Sequence, residues 1–285
     1  MWTQIVGKTR LALAPTENHW WHVALYVTPR GLTTSAIPSG TRTFAVDFDF
    51  IAHELSVRTS QGATRTVRLA PRPVSDFYAE YLAALRSLDL EARIRPVPVE
   101  VERAIPFADD HEHSSYDPDA VHRCWRVLVQ ADRVLKRFRG RFGGKSSPVH
   151  FFWGSFDLAL TRFSGRPAPR HPGGAPNCPD YVMEAAYSHE CSSCGFWPGG
   201  EAVAEPAFYA YAYPEPAGYA DRPIGARGAY YHRGLREYIL PYEAVRRAAA
   251  PDDLLLEFLQ ATYDAAADLG GWDRAALDRP RRDWA

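Results

Sequence analysis

Two aromatic stretches, about forty residues apart, each carry a histidine and a carboxylate that could do chemistry. The first contains His150 and Asp157, and the second contains His189 and Glu190. Two imidazoles and a carboxylate on one face can bind a divalent metal and leave positions open for substrate. The pattern predicts a metal site formed by His150, His189 and Glu190 that holds Fe, Zn, Cu or Mn. No dense motif such as H-E-x-x-H is present, so a metal-free polar site and a structural role stay open as alternatives.

The same stretches offer groups for proton transfer. Glu190 stands among aromatic residues, and a carboxylate in such surroundings has a raised pKa that suits acid–base catalysis. Asp157 is a second candidate, with an ion pair to a nearby arginine as the alternative, and Glu215 is a third. His19 and His22 can add catalytic groups or orient metal ligands through hydrogen bonds. The predicted catalytic residues are Glu190, His19, His22 and Asp157.

The aromatic content predicts how a substrate is held. The chain contains 8 Trp, 15 Tyr and 14 Phe, and such rings line sites for small organic ligands as well as filling cores. Arginines near a pocket can bind a carboxylate or phosphate through paired hydrogen bonds. The predicted substrate-binding residues are Trp21, Trp153, Arg162, Arg166, Phe196 and Trp197.

Cys191 and Cys194 form a C-x-x-C pair, which can be a redox dithiol or half of a zinc site. Adding Cys178 and His189 gives four possible zinc ligands. However, there is no second C-x-x-C pair, and Gly195 follows at once where a redox motif would open a helix. Free thiols are therefore the favoured interpretation.

Alternation and helical periodicity predict the elements that position these residues. Strands are predicted at 22–28, 43–51, 54–59, 64–69, 93–103, 203–213 and 237–240, and the three between 43 and 69 are predicted to form an antiparallel meander. A long strand or a bulged pair of strands is predicted at 147–165, with the bulge at Gly154. Helices are predicted from Ser75 to Leu88, from Asp117 or Asp119 to Phe138, and at 242–248 and 252–269; the segments 109–116 and 167–179 are predicted loops. Strands come in runs and helices in blocks, which is typical of α+β proteins. We expect one domain, with a core at about 10–270 and a polar tail at 273–285, in which about four helices pack on a curved, mainly antiparallel sheet.

Bulk properties exclude several function classes. The 285 residues carry a formal net charge of -1, so nothing draws the chain to nucleic acid or to an anionic membrane. No signal peptide and no apolar run of membrane-spanning length is evident, which predicts a cytoplasmic protein. A Gly-rich turn between strand and helix is missing, so no nucleotide cofactor is expected. The expected partner is a small molecule, and the sequence does not determine the oligomeric state.

Several motifs resemble the DUF5996 family, a set of soluble bacterial proteins whose function is unknown. The resemblance is carried by residues 18–22, 150–166, 187–190, 195–200 and 213–218. It implies a single-domain protein and supplies no reaction. It also implies that His189-Glu190 is shared by the family, whereas Cys191 and Cys194 are departures of this chain. From the residues, we expect a small-molecule enzyme with an aromatic-lined pocket. The predicted metal site favours a metal-dependent oxidoreductase or hydrolase that uses His150, His189 and Glu190. A non-catalytic ligand-binding or structural protein is the alternative.

Overall fold

The computed structural model describes residues 1–200 and 202–279. The chain forms two compact units that are interleaved in sequence. The first contains Met1–Val129, Phe151–Ser155 and Pro172–Ala186, and the second contains Gln130–His150, Phe156–His171 and the chain from Tyr187 onward. The expectation of a single domain stays a prediction.

Antiparallel strands and three helices make up most of the first unit. Its helices are α1 (Trp2–Leu13), α2 (Val74–Arg86) and α4 (Asp180–Ala186), and α3 (Pro118–Arg139) begins in it. Its strands are β1 (Tyr26–Thr28), β2 (Gly31–Thr33), β3 (Ile37–Ser39), β4 (Arg42–Asp49), β5 (Glu54–Thr59) and β6 (Thr64–Arg68). The sheet order is β1-β2-β4-β5-β6, and β3 also pairs with β4. Val46 and Phe48 of β4 are buried, whereas Asp47 and Asp49 alternate with them on the more exposed face, as expected when one face of a sheet covers a core.

The second unit is built on a second antiparallel sheet. Its strands are β8 (Asp157–Pro167), β9 (His189–Trp197), β10 (Ala207–Tyr213), β11 (Tyr230–His232) and β12 (Glu237–Pro241), in the order β11-β12-β10-β9-β8. The helices are α5 (Tyr242–Arg246), α6 (Pro251–Leu269) and α7 (Arg274–Leu277), and α6 packs against β9 and β10. The short β7 (His150–Phe152) precedes β8. In the described residues, no helix combines the length and the apolar character needed to cross a membrane.

The structure confirms the α+β class and most of the predicted elements. The predicted helices correspond to α2, α3, α5 and α6, and the predicted meander at 43–69 corresponds to β4, β5 and β6. Two sheets are present where one was expected, and seven α-helices are described where about four were expected. The predicted loop at 109–116 contains no helix or strand.

Three local predictions are wrong. The segment 93–103 contains no strand, and Pro96 instead accepts a loop hydrogen bond from Phe107. Residues 22–25 lie in a turn and a single bridge, so only β1 remains of the strand predicted at 22–28. Gly154 lies in the turn that separates β7 from β8, while the register shift of β8 falls between Phe163 and Pro167.

Helix α1 was not predicted because its buried residues include the polar Gln4, Lys8, Thr9 and Arg10. Without an apolar stripe, the periodicity that reveals a buried helix is lost. Helix α4 has only seven residues, which is too short for a periodic signal. Within the predicted polar tail at 273–285, α7 is described, and residues 280–285 lie outside the described part of the chain.

Candidate functional site

One face of the second sheet brings together several hydroxyl groups and two carboxyl groups of the second unit. Residues directly opposite each other on antiparallel strands point to the same face. Tyr209 lies opposite Gly195, and Tyr211 lies opposite Ser193, which in turn lies opposite Thr161. We call this surface the tyrosine face. Its members are Asp157, Thr161, Cys191, Ser193, Gly195, Trp197, Tyr209, Tyr211, Tyr213, Glu237 and the adjoining Tyr187.

Asp157 and Tyr209 are joined across the strand that lies between them. The Tyr209 hydroxyl donates a hydrogen bond to Asp157 Oδ2, and both side chains are buried. The phenol passes over β9 at Gly195, where an added Cβ would come within 2.5 Å of the Tyr209 hydroxyl oxygen. Burial and the negative charge of Asp157 raise the pKa of Tyr209 well above its ordinary value. Tyr209 therefore stays protonated and holds the carboxylate in place.

A chain of hydroxyl groups runs along the middle of the face. Thr161 Oγ1 and Ser193 Oγ are 3.0 Å apart, and the hydroxyls of Tyr187 and Tyr211 are 2.7 Å apart. Ser193 lies directly opposite Tyr211 on the neighbouring strand, which places these two pairs next to each other. Burial raises the pKa of both Tyr187 and Tyr211, so both remain neutral phenols near pH 7. When each hydroxyl donates to the next, the Tyr187 hydroxyl at the end of the chain can donate to a ligand.

Glu237 is the half-buried carboxyl group of this face. It is two residues before Ile239 on β12, and Ile239 lies opposite Tyr209, so alternation places Glu237 on the tyrosine face. Its carboxyl group makes no hydrogen bond or ion pair with a described residue. Burial, and then repulsion from Asp157, raise its pKa from 4.5 to about 7. Glu237 is therefore able to hold or release a proton near neutral pH.

Aromatic rings border the face on two sides. The His171 ring stacks on Tyr187, with centroids 4.7 Å apart, and lies 5.0 Å from the Tyr213 ring. Burial lowers the pKa of His171, which favours the neutral imidazole. On the other side, Trp197 and Leu235 pack on an apolar cluster that includes Tyr209. The tyrosine face therefore includes Trp197 of the predicted substrate-binding residues and Asp157 of the predicted catalytic residues.

Glu190 has protein partners of its own on the opposite face of β9. Its Oε2 lies 2.7 Å from Arg166 Nη2 and accepts a hydrogen bond from Ser164 Oγ at 2.9 Å. Arg166 also donates to the carbonyl oxygens of Gly270 and Gly271, which follow α6. Glu190 and Arg166 therefore connect the sheet to the end of α6, where a cation is stabilised by the exposed carbonyl groups.

Arg162 and Phe196 also point away from the tyrosine face and are buried. The Arg162 guanidinium lies 3.4 Å from the Phe138 ring centroid and 4.5 Å from that of Tyr263. It donates to the Phe138 carbonyl oxygen, and burial lowers its pKa to about 10. Phe196 packs edge-on against Phe208. The protein's own groups thus surround Arg162 and Phe196, and we leave both out of the proposed site, together with Arg166.

In the described part of the chain, no three His, Cys, Asp or Glu side chains are grouped so that they could hold a metal ion. His150 is buried at the start of β7, and His189 begins β9 with its Nδ1 3.1 Å from Ser188 Oγ. Adjacent residues on a strand point to opposite faces, which separates His189 from Glu190. The metal site formed by His150, His189 and Glu190 stays a prediction.

The cysteines are free thiols, as the sequence favoured. Cys191 lies opposite Tyr213 on the tyrosine face, whereas Cys194 points to the other face and contacts the Leu160 carbonyl oxygen. The two residues are three positions apart on one strand, so their side chains diverge. Burial raises the pKa of each thiol to about 12, which makes both poor nucleophiles.

His19 and Trp21 lie in the first unit, in and after a 3₁₀ turn at Asn18–Trp20 rather than in a strand. His19 and Trp20 both have positive φ angles, 57° and 60°. His19 Nδ1 is 3.0 Å from the carbonyl oxygen of Ala186 and donates to it, since a carbonyl oxygen can only accept. The Trp21 ring lies 5.6 Å from the His19 ring.

His22 and Trp153 are also held by the backbone of the first unit. His22 Nδ1 accepts a hydrogen bond from the Glu17 N–H at 3.0 Å, and burial lowers the pKa of His22. The Trp153 indole N–H donates to the Val23 carbonyl oxygen at 2.9 Å. Both side chains therefore fix the turn that leads into β1.

Sequence reasoning missed most of the tyrosine face. Glu237, Tyr187, Tyr209 and Tyr211 were not predicted as site residues. One signal was available, because Tyr209, Tyr211 and Tyr213 alternate with alanines and must share one face of a strand. No comparable signal exists for Glu237, whose surroundings come from strands distant in sequence.

A family model matches residues 1–279, and its family is DUF5996, a family of unknown function. The chain belongs to the DUF5996 family. The matched range includes every residue of the tyrosine face, and it confirms the resemblance that the motifs indicated. A search of curated proteins and a search of solved structures gave no match.

Proposed function

We propose that this DUF5996 protein is an enzyme that uses acid–base catalysis on a small organic molecule bound at the tyrosine face. The proposal rests mainly on Glu237, on its burial, its lack of a polar partner among the described residues, and its raised pKa. Its half-buried carboxyl group has no hydrogen bond or ion pair with a described residue, whereas Glu190 and Glu215 both pair with arginines. A carboxyl group that titrates near pH 7 can take up a proton and return it within one cycle.

The neighbouring groups have complementary roles in this proposal. Tyr187, at the end of the hydroxyl chain, donates a hydrogen bond to a carbonyl or hydroxyl oxygen of the substrate, where negative charge develops. Burial raises the pKa of Glu237, and repulsion from Asp157, which Tyr209 holds in place, raises it further. Trp197 provides an apolar wall for the carbon skeleton. The substrate class is a small molecule with a carbonyl or hydroxyl group next to an acidic C–H bond.

The experiment combines a panel of compounds with two matched variants. Small ketones, hydroxy acids and unsaturated acids are incubated with the protein in D₂O, and proton NMR follows C–H exchange and product signals. For a converted compound, we expect Glu237→Gln to lower the rate at least about 100-fold, because proton transfer is lost. Glu243→Gln is the control, since Glu243 is paired with Arg246 on α5.

Two results would contradict the proposal. Unchanged turnover in Glu237→Gln would remove Glu237 from the reaction. A compound that binds the wild type, seen as line broadening, with no conversion of any panel member would favour a non-catalytic ligand-binding protein. Tyr187→Phe should weaken binding of the compound in either case, and for an enzyme it should also lower the rate of turnover.

A further inference from the structure

The first unit contains a buried lysine that the proposed function does not use. Lys8 lies on α1 and is 3% exposed. One turn earlier on the same helix, Gln4 both donates to and accepts from the backbone of Val99 at 2.9 Å, which fixes this side of α1 against the 93–103 segment. Residues four apart on a helix share a face, so Lys8 extends along that segment.

A tryptophan forms the wall beside this amine. Lys8 Nζ lies 5.6 Å from the centroid of the Trp153 ring. Trp153 packs so closely on α1 that a Cβ at Gly7 would overlap its indole, and its N–H is held by Val23. The wall is therefore rigid and apolar on the side that faces the amine.

Within the described part of the chain, no carboxylate pairs with Lys8. Among the described residues its amine forms neither an ion pair nor a hydrogen bond. The charge that acts on it is the guanidinium of Arg95, which has the same sign, while burial raises the pKa of the Cys178 thiol and keeps that group neutral near pH 7. Arg95 is exposed and has no acidic partner in the described chain either. Burial, followed by Arg95, lowers the pKa of Lys8 to about 8, so an appreciable fraction is the neutral amine near pH 7.

We propose that Lys8 binds a small 2-oxo acid covalently as an imine, with Arg95 pairing with the carboxylate of the ligand. A buried, unpaired amine against an apolar wall is suited to attack a carbonyl carbon. The guanidinium fits a carboxylate through two parallel hydrogen bonds. The Lys8 lone pair forms the new C–N bond, and both amine protons leave with the carbonyl oxygen as water. No oxidant or reductant is needed.

The composition of the chain makes the test direct. Only three lysines are present, Lys8, Lys136 and Lys145, besides the terminal amine of Met1. Lys136 is an internal control because its exposed amine pairs with Asp132 at 2.7 Å. The full chain is incubated with glyoxylate and cyanoborohydride near pH 7, digested and mapped by mass spectrometry. We expect Lys8 to be carboxymethylated roughly tenfold or more faster than Lys136, since a larger fraction of Lys8 is unprotonated. The difference should vanish in urea.

Variants separate the two parts of the proposal. Lys8→Arg should abolish this labelling, and Lys136→Arg should leave it unchanged. Arg95→Met should slow labelling by glyoxylate more than labelling by propanal, which has no carboxylate. Loss of the Arg95 charge raises the pKa of Lys8 and slows both reagents alike, whereas loss of the carboxylate pairing slows glyoxylate alone. Labelling of Lys8 no faster than that of Lys136 in the folded wild type would overturn the proposal without any variant. An equal response of glyoxylate and propanal to Arg95→Met would overturn the assignment of a 2-oxo acid. The proposal concerns residues of the first unit only, so its test is independent of the test of Glu237 as a catalytic residue.

Discussion

Replacing Glu237 by Gln should remove a pH-dependent part of the free energy of unfolding. In the folded protein the Glu237 carboxyl keeps its proton up to about pH 7, whereas its ordinary pKa is 4.5. Between these values the unfolded state binds fewer protons than the folded state, so stability falls as the pH rises. The stabilisation is complete below pH 4.5 and is lost as the pH passes through about 7.

The magnitude follows from the same two pKa values. At about 1.4 kcal/mol per pH unit, the interval from 4.5 to about 7 corresponds to about 3 kcal/mol. Gln is neutral at every pH and has nearly the shape of the protonated acid. The wild type should therefore lose about 3 kcal/mol relative to Glu237→Gln between the two ends of this interval.

The assay is urea unfolding of wild type and variant at several pH values from 4.5 to 8. Only the difference between the two proteins is compared, because titrating histidines such as His22 and His171 contribute equally to both. Glu243→Gln serves as the matched control, since hydrogen bonding to Arg246 lowers the pKa of Glu243 to about 2 and no step is expected in this range. A difference between wild type and Glu237→Gln that stays within about 0.5 kcal/mol across the range would refute the reasoning.

Three further predictions concern the packing of Tyr209 at Gly195, the ion pair of Arg166, and the predicted metal site. Gly195→Ala should displace the Tyr209 hydroxyl and lower the free energy of unfolding, measured in urea, by roughly 2–4 kcal/mol, because the hydrogen bond to the charged Asp157 is lost in a packed layer. Gly140→Ala is the control, since the nearest atoms to its added Cβ would be 3.6 Å away, and it should change the free energy of unfolding by less than about 1 kcal/mol. Arg166→Met should cost about 1 kcal/mol, given that half of this side chain is exposed. If the predicted metal site exists, elemental analysis should find about one Fe, Zn, Cu or Mn per chain that is lost in both His150→Ala and His189→Ala; wild-type protein without metal would refute it.

The secondary structure that could be predicted is the part with a periodic apolar pattern. Strand β4 alternates buried Val46 and Phe48 with Asp47 and Asp49, and α6 repeats leucines at helical spacing. Helix α1 could not be predicted from such a pattern, because the polar residues Gln4 and Lys8 lie on its buried side. Its burial depends on partners that lie far away in the sequence, and a local pattern contains no information about them.

The candidate site, too, contains some residues that the sequence predicted and others that it placed wrongly. Asp157 and Trp197 were predicted as site residues from their aromatic surroundings, and both lie on or beside the tyrosine face. Glu190 was predicted by the same argument, yet it points to the other side of β9 and pairs with Arg166. Alternation along a strand shows which residues share a face, but it does not show which of the two faces meets a helix.

By itself, the sequence determined the α+β class, most strand and helix positions, and membership of a family through motifs distributed along the chain. Only the tertiary structure decided which groups meet: Tyr209 reaches Asp157 across Gly195, and Glu237 comes under the influence of the Asp157 charge. The physical reason is that pKa values and hydrogen bonds depend on distances of a few ångströms between atoms. Strand register sets those distances for residues that lie up to about eighty positions apart.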